Sequence, residues 1–459
     1  MTSTGRFSRR SLLGWGGVVG GGVLLAACGA QPAAMEGEGE MEAKEEAPKA
    51  EMKDQPVEAR KLVHTDWWVP GDSPTLDEYF TGIKADFEDL NPGTTIEYVF
   101  IHGTMLQDRV TAMIAAGEQV DSSQVSVAFI LNWLLKDFLA PLDPYQAADP
   151  SMAPDKFVDS GRFFNQHGGQ TYGIPYDGPS TTLLGLNTRI LTDAGLDTDR
   201  EVTWNWDWDT FLEYAQKVHE ADGENITRMG YRATGFSMTG VGRWIYPNGA
   251  TLYTADNKAA AFDSPQGIAA GQFKEDLKIK HKFDPLPEGA TFANEQVVIA
   301  QQGSYNVGRI LGENENLEFD FAPLPKGPDG ATPGSMTWTN QWCLFSVSPD
   351  PELAWSWMSW VNSEATLEKY FAGVLSRNAG RKEFYQSEAW KAHTDERPVL
   401  KDLELIADLS GPYPWLHTFA GNEATKPVWD ALHKQELTVQ EAFPQAAQLI
   451  NGVLEELGT

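Results

Sequence analysis

The chain has 459 residues, 41% of them hydrophobic, with 65 acidic against 35 basic side chains and a net charge of −30. Such a field repels polyanions and argues against nucleic-acid binding, while the length suffices for two or more water-facing domains. One of the two cysteines is Cys28, at the end of the N-terminal apolar run, so Cys343 has no partner for an internal disulfide, and it sits in an apolar run, Trp342–Val347, that predicts a buried, inert thiol.

The first element is a leader. Arg9-Arg10 precede an apolar, glycine-rich run, Ser11 to Ala27, which ends in Leu25-Ala26-Ala27-Cys28. A basic head, a short apolar middle and small residues before a cut predict a signal peptide over 1–27, too short and weak for a span of about 20 residues. Leu-Ala-Ala-Cys resembles the bacterial lipobox, which implies that Cys28 is lipidated and becomes the mature N-terminus. Ser8-Arg9-Arg10-Ser11-Leu12-Leu13 resembles a twin-arginine export signal. The expectation is a protein exported and lipid-anchored to the outer face of the cytoplasmic membrane, periplasmic or cell-surface, with the lipid as its only membrane contact. Residues 28–61, rich in Glu, Ala, Met, Lys and Pro and free of aromatics, predict a disordered acidic linker reaching on the order of 30 Å.

The body alternates strand-like and helix-like segments. Leu62–Trp68 reads as a strand entering a loop. Thr75–Leu90 has helical spacing (Leu76, Tyr79, Phe80, Ile83, Phe87) and stops at Asn91-Pro92-Gly93. Thr95–Phe100 alternates as a strand, and Met105–Ala116 is a further helix. Later helices are expected from Trp208 to Val218, capped by Asp209 or Thr210, from Pro265 to Leu277, and from Glu352 to Val361. The last ninety residues read mostly helical. Strand, helix, strand, helix in this order predicts α/β architecture with a doubly wound sheet.

Several segments, taken in order, carry a family resemblance. They are Phe87-Glu88-Asp89-Leu90-Asn91-Pro92 with Thr95-Ile96-Glu97; Gly169-Gln170-Thr171-Tyr172-Gly173-Ile174-Pro175-Tyr176 with Leu186-Asn187 and Ala194-Gly195-Leu196; and Thr203-Trp204 with Trp208-Asp209. Phe292-Ala293-Asn294 with Gln302-Gly303-Ser304-Tyr305, and Phe321-Ala322-Pro323-Leu324-Pro325-Lys326-Gly327-Pro328, complete the set. Together they resemble the family 1 extracellular solute-binding proteins, the capture subunits of ATP-binding cassette (ABC) importers that include maltose-binding proteins.

The resemblance implies a type II periplasmic-binding-protein-like fold, two doubly wound α/β lobes joined by a hinge of crossing segments, with the ligand between them. Crossings are expected near Pro175–Ser180, Phe321–Leu324 and Val374–Arg377. Lobe 1 would then hold 62–176 with 323–374, and lobe 2 would hold 180–320 with 377–459. It further implies a monomeric receptor, not an enzyme, with no cofactor or metal, which binds a carbohydrate, in particular an oligosaccharide, and delivers it to permease subunits.

The 16 tryptophans favour a sugar ligand, because an indole packs on the C–H face of a pyranose while polar groups meet its hydroxyls. Trp208 and the helical Trp355, Trp357 and Trp360 read as structural, and Trp133 fits either role. Candidate ligand-binding residues lie in loops at strand ends and crossings: Trp67, Trp68, Tyr176, Asp177, Trp244, Tyr305, Trp338, Asn340, Tyr413 and Trp415, with Asp177, Trp244, Tyr305 and Trp338 foremost. Tyr305 stands where the resemblance would place a stacking Trp. The histidines lack metal-ligand spacing, and Gly14–Gly22 lacks a nucleotide-loop pattern. Alternatives are a secreted glycosidase using paired carboxylates, and a receptor for a polyol, peptide or glycerol phosphate. A phosphate would call on Arg243, Arg309 or Arg377.

Overall fold

The computed structural model describes residues 59–71, 74–126, 130, 133–159, 165–223, 225–412 and 418–456. The leader, Cys28 and nearly all of the expected linker lie outside these residues. The strands in chain order are β1 (Arg60–Asp66), β2 (Thr94–Phe100), β3 (Ser122–Ser126), β4 (Gln166–His167), β5 (Gln170–Thr171), β6 (Ile174–Pro175) and β7 (Ser180–Asn187). They continue as β8 (Glu220–Asp222), β9 (Asn225–Tyr231), β10 (Val297–Gly303), β11 (Phe319–Ala322), β12 (Met336–Trp338), β13 (Asn340–Leu344) and β14 (Gly411–Pro412). One sheet runs β2-β1-β3-β13-β6; a second runs β14-β12-β7-β10-β9-β8, with β11 also on β7. In the first, β1 is parallel to β2 and β3, so the order reverses beside β1 as in a doubly wound sheet.

Local chemistry explains the helices that cover these sheets. Helix Pro74–Leu90 buries the five expected positions, Leu76, Tyr79, Phe80, Ile83 and Phe87. Its chain direction reverses through Gly93, at φ +84°, where a side chain would be strained. Helix Pro265–Ile279 starts on Ser264, whose hydroxyl accepts the Gly267 N–H at 3.2 Å. Helix Trp208–Lys217 differs from expectation: its cap is Asp207, which accepts the Thr210 N–H at 2.9 Å, rather than Asp209 or Thr210. Trp208 itself stacks on Phe273 at 4.1 Å, a structural role. Both faces of the first sheet are covered. Trp342, Trp357 and Phe87 pack on one face, and Val125, Trp133 and Cys343 on the other. The Cys343 thiol is fully buried and pushed up by that burial.

The chain changes sheets three times. The first change lies where expected, between β6 and β7, through Tyr176–Pro179. There Gly178, at φ +110°, has room for no side chain: an added Cβ would stand 2.7 Å from Ser180 N and 3.0 Å from Trp338 O. The second does not fall at 321–324. Phe321 pairs with Gly185 in the second sheet, and the chain stays there until Thr339 alone joins β12 to β13. The third does not fall at 374–377. Phe384, Trp390, Leu400, Leu403 and Ile406 still bury in the first core, and the second sheet is re-entered at Gly411, which pairs with Met336. The closing helices, Thr418–His433 and Val439–Glu456, complete the second core through Trp429, Phe443 and Ile450.

Candidate functional site

In open α/β sheets ligands meet the carboxyl ends of parallel strands. At that end of β1, Asp66 leads into Trp67 and Trp68. Trp67 is half-buried between the two cores that flank the first sheet. Trp68 packs 5.8 Å from the Tyr176 ring, and the Arg377 guanidinium lies 4.2 Å over its face. Tyr176 is fully buried, edge-on to Trp342 at 5.0 Å and to Phe371 at 4.9 Å. It therefore shapes the wall behind the crossing rather than offering a free ring.

Asp177 and Asn340, which meet from two separate crossings, form the polar centre of this region. The Asp177 carboxylate accepts the Asn340 N–H at 2.9 Å and its Nδ2–H at 2.8 Å. Arg377 Nη1 stands 3.8 Å from Asp177 Oδ2, a loose ion pair. Burial pushes the Asp177 carboxyl above the ordinary range, against the pull of Arg377 and of the Asn340 donors. Asp177 also bridges to Ala379, and Tyr385 Oη donates to the carbonyls of Gly178 and Ala379, at 2.7 and 2.9 Å. First crossing and Arg377 segment are thus fastened side by side.

A buried pair beneath this centre escaped the sequence reading. His64 is fully enclosed, stacked on Trp342 at 4.2 Å, with Nδ1 2.8 Å from Ser122 Oγ and Nε2 3.4 Å from Asp66 Oδ2. Burial lowers the imidazole to about 3 and raises the Asp66 carboxyl well above its usual value, so each group is pushed toward its neutral form. The two shifts act in opposite senses: the raised Asp66 carboxyl removes stability as pH rises above about 4, while the lowered His64 imidazole adds stability as pH rises from about 3 to about 6.5, so the Asp66 loss stands alone only above about 6.5. Asp66→Asn supplies an amide N–H where the carboxyl O–H stood. Without the Asp66 titration, denaturation midpoints of this variant are expected to rise with pH between about 4 and about 6.5 more steeply than those of the parent, because His64 then titrates unopposed. An unchanged slope would refute the neutral pairing. The sequence signal was slight: a His and an acid two residues apart at the end of a short strand.

On the second sheet, β10 ends at Gly303 and presents Tyr305. This residue is 42% exposed, and no other Phe, Tyr or Trp whose burial is described is exposed. Trp338, half-buried at the end of β12, meets it edge-on at 6.3 Å. Behind them Arg243 Nη1 donates to Gln301 Oε1 at 2.7 Å, and Gln301 Nε2 donates to Tyr231 Oη at 3.2 Å. The expectation for Trp244 is corrected. It lies within helix Met238–Ile245, is 1% exposed, and packs against Phe211, Tyr231 and Phe273 inside the second core. Tyr413 and Trp415 lie outside the described residues. The structure thus groups Trp68, Tyr176, Asp177 and Asn340 about the crossings and Tyr305 with Trp338, and sets Trp244 apart.

Comparisons with known proteins agree with this architecture. Residues 72–368 match the family model of bacterial extracellular solute-binding proteins. A binding protein of Brucella abortus (strain 2308) is 23% identical, over 72% of this chain and 82% of its own. The GacH receptor of Streptomyces glaucescens, solved unliganded and with acarbose, superposes with a TM-score of 0.71 at 17% identity, covering 87% of this chain and 98% of that one. An ABC substrate-binding protein from Listeria monocytogenes, in complex with cycloalternan, superposes with a TM-score of 0.73 at 16% identity, over 87% of this chain and all of its own. Likeness at that identity is likeness of fold. The family match spans well over half of the residues, and the chain belongs to the bacterial extracellular solute-binding proteins.

Proposed function

We propose that this protein is a lipid-anchored receptor that captures a carbohydrate between its two sheets and delivers it to an ABC importer. The observation that carries the reading is Tyr305, an exposed ring set edge-on to Trp338 at the carboxyl end of β10. An exposed aromatic beside hydrogen-bonding side chains suits a ligand with alternating C–H and hydroxyl surfaces. Support also comes from solved relatives of the same fold, whose ligands include acarbose, cycloalternan and maltose. In this reading the bodies 60–176 with 340–408 and 180–338 with 411–456 close on the sugar, and Cys28 tethers the receptor beside its permease. Export by the twin-arginine route and action as a monomer belong to the same proposal.

The carboxylates at the strand ends favour binding over hydrolysis. Asp66 is paired with His64 and Asp177 with Asn340, so neither is a free acid or nucleophile of the kind a glycosidase sets on each side of a bond. A thermal-shift screen of mono- and oligosaccharides with product analysis tests the reading. A stabilising hit that is recovered uncleaved is expected, and cleaved products would sink it. Tyr305→Ala should weaken the best hit by about 10-fold or more with the unliganded melting temperature unchanged. Full affinity in that variant would remove Tyr305 from the site.

A further inference from the structure

Charge about Tyr305 runs against the acidity of the chain, whose net charge is −30. The groups whose fields reach its phenol include three arginines, Arg243, Arg377 and Arg309, and one carboxylate, Asp177. Arg309 is exposed and paired with Glu313 at 3.2 Å, so solvent and its partner screen it. The other two are less fully compensated. Arg377 has Asp177 only at 3.8 Å, through an oxygen already accepting from Asn340 Nδ2 at 2.8 Å.

Arg243 has no ion pair among the described residues. Its Nη1 is satisfied by a neutral amide, Gln301 Oε1, and its Nε is buried without a hydrogen-bond partner. Behind it stands an enclosed amine. Lys274, 4% exposed, donates to the Thr234 carbonyl, and the Thr234 hydroxyl donates to Gln301 Oε1 at 3.4 Å. Burial, and then the charge of Arg243, lower the Lys274 ammonium to about 7. Arg243 and an amine drawn toward its neutral form thus share one small network, Arg243–Gln301–Thr234–Lys274, whose acceptors are all neutral.

A half-buried guanidinium left with neutral acceptors is poorly solvated, and the hydroxyls of a neutral sugar would add only more of the same. A carboxylate or phosphate supplies the missing charge and can take two parallel N–H bonds from one guanidinium edge. We propose that the ligand is an anionic saccharide, a uronate or a sugar phosphate, whose acidic group is bound by Arg243 while a sugar ring packs on Tyr305 and Arg377 faces the ligand from the crossing. This rests on the carbohydrate reading above and narrows it to a charged class.

The test uses the full-length protein, incubated with hydrolysates of pectin and alginate, with a set of sugar phosphates, and with hydrolysates of starch and mannan. Native mass spectrometry then identifies what is retained, and calorimetry measures its affinity. Retention of an acidic saccharide is expected, with the hydrolysate and phosphate arms telling carboxylate from phosphate. Binding should weaken as salt rises from about 0.05 to about 0.5 M. Arg243→Gln should lower affinity by about 10- to 100-fold with the unliganded melting temperature held. Should that variant fold poorly, Arg243→Lys retains the charge without the fork and should show a smaller loss of affinity. Equal binding of a neutral oligosaccharide by parent and Arg243→Gln would overturn the anionic assignment and leave the carbohydrate receptor standing. Retention of nothing from any pool would overturn both.

Discussion

Trp244→Ala is expected to destabilise the fold by about 3–5 kcal/mol while leaving the ligand affinity of the folded fraction intact. The indole is 1% exposed and meets Phe273 at 5.4 Å, Phe211 at 5.8 Å and Tyr231 at 6.2 Å, so truncation opens a cavity among rings that cannot collapse together. Urea denaturation followed by fluorescence reads the loss as a lower midpoint at unchanged slope. The contrast with Tyr305→Ala is the informative part, because that variant should keep its midpoint and lose ligand. A stable Trp244→Ala protein that no longer binds saccharide would place this indole at the ligand after all.

The second large effect is expected at Asp177. Asp177→Ala removes the acceptor of both Asn340 donors and the only carboxylate paired with Arg377 among the described residues. An enclosed guanidinium and a buried amide N–H are left uncompensated, and the loss should be about 3–5 kcal/mol. Asp177→Asn keeps an oxygen for the Asn340 N–H and should lose only about 1–3 kcal/mol. Equilibrium denaturation of the two variants side by side separates the lost hydrogen bonds from the lost charge. Equal, small losses in both would show that the Asp177–Asn340 contact contributes little.

What could be read from the sequence was what local chemistry decides. The helix Pro74–Leu90 was legible because its five apolar positions and the Asn-Pro-Gly stop lie within one short window. The crossings were legible only in part. Phe319–Ala322 and Met336–Trp338 both look like strands and both pair with β7, and which of them is last in the sheet is settled by pairing far along the chain. Trp244 was misplaced for a nearer reason. Gly240 and Gly242 disguise a helix that Ser237 caps by accepting the Gly240 N–H at 2.9 Å. Within a helix, neighbours point about 100° apart, so Trp244 enters the core while Arg243 takes the more open side. Tyr305 follows the end of a strand, a placement legible in the sequence, but that its ring is exposed depends on packing that no local pattern encodes.

Thr339 has a mechanical consequence. It is the one residue between a strand of each sheet, so the Cα atoms of Trp338 and Asn340 can never stand more than about 7 Å apart. A connection that short permits turning and forbids stretching, and Gly178 lies against it, since a Cβ there would stand 2.9 Å from Thr339 Cγ2 and 3.0 Å from Trp338 O. Displacement in such a lever grows with distance from the axis. Spectroscopic labels near Thr339 would stay still during any opening, and those at the far rims would sweep the widest arc.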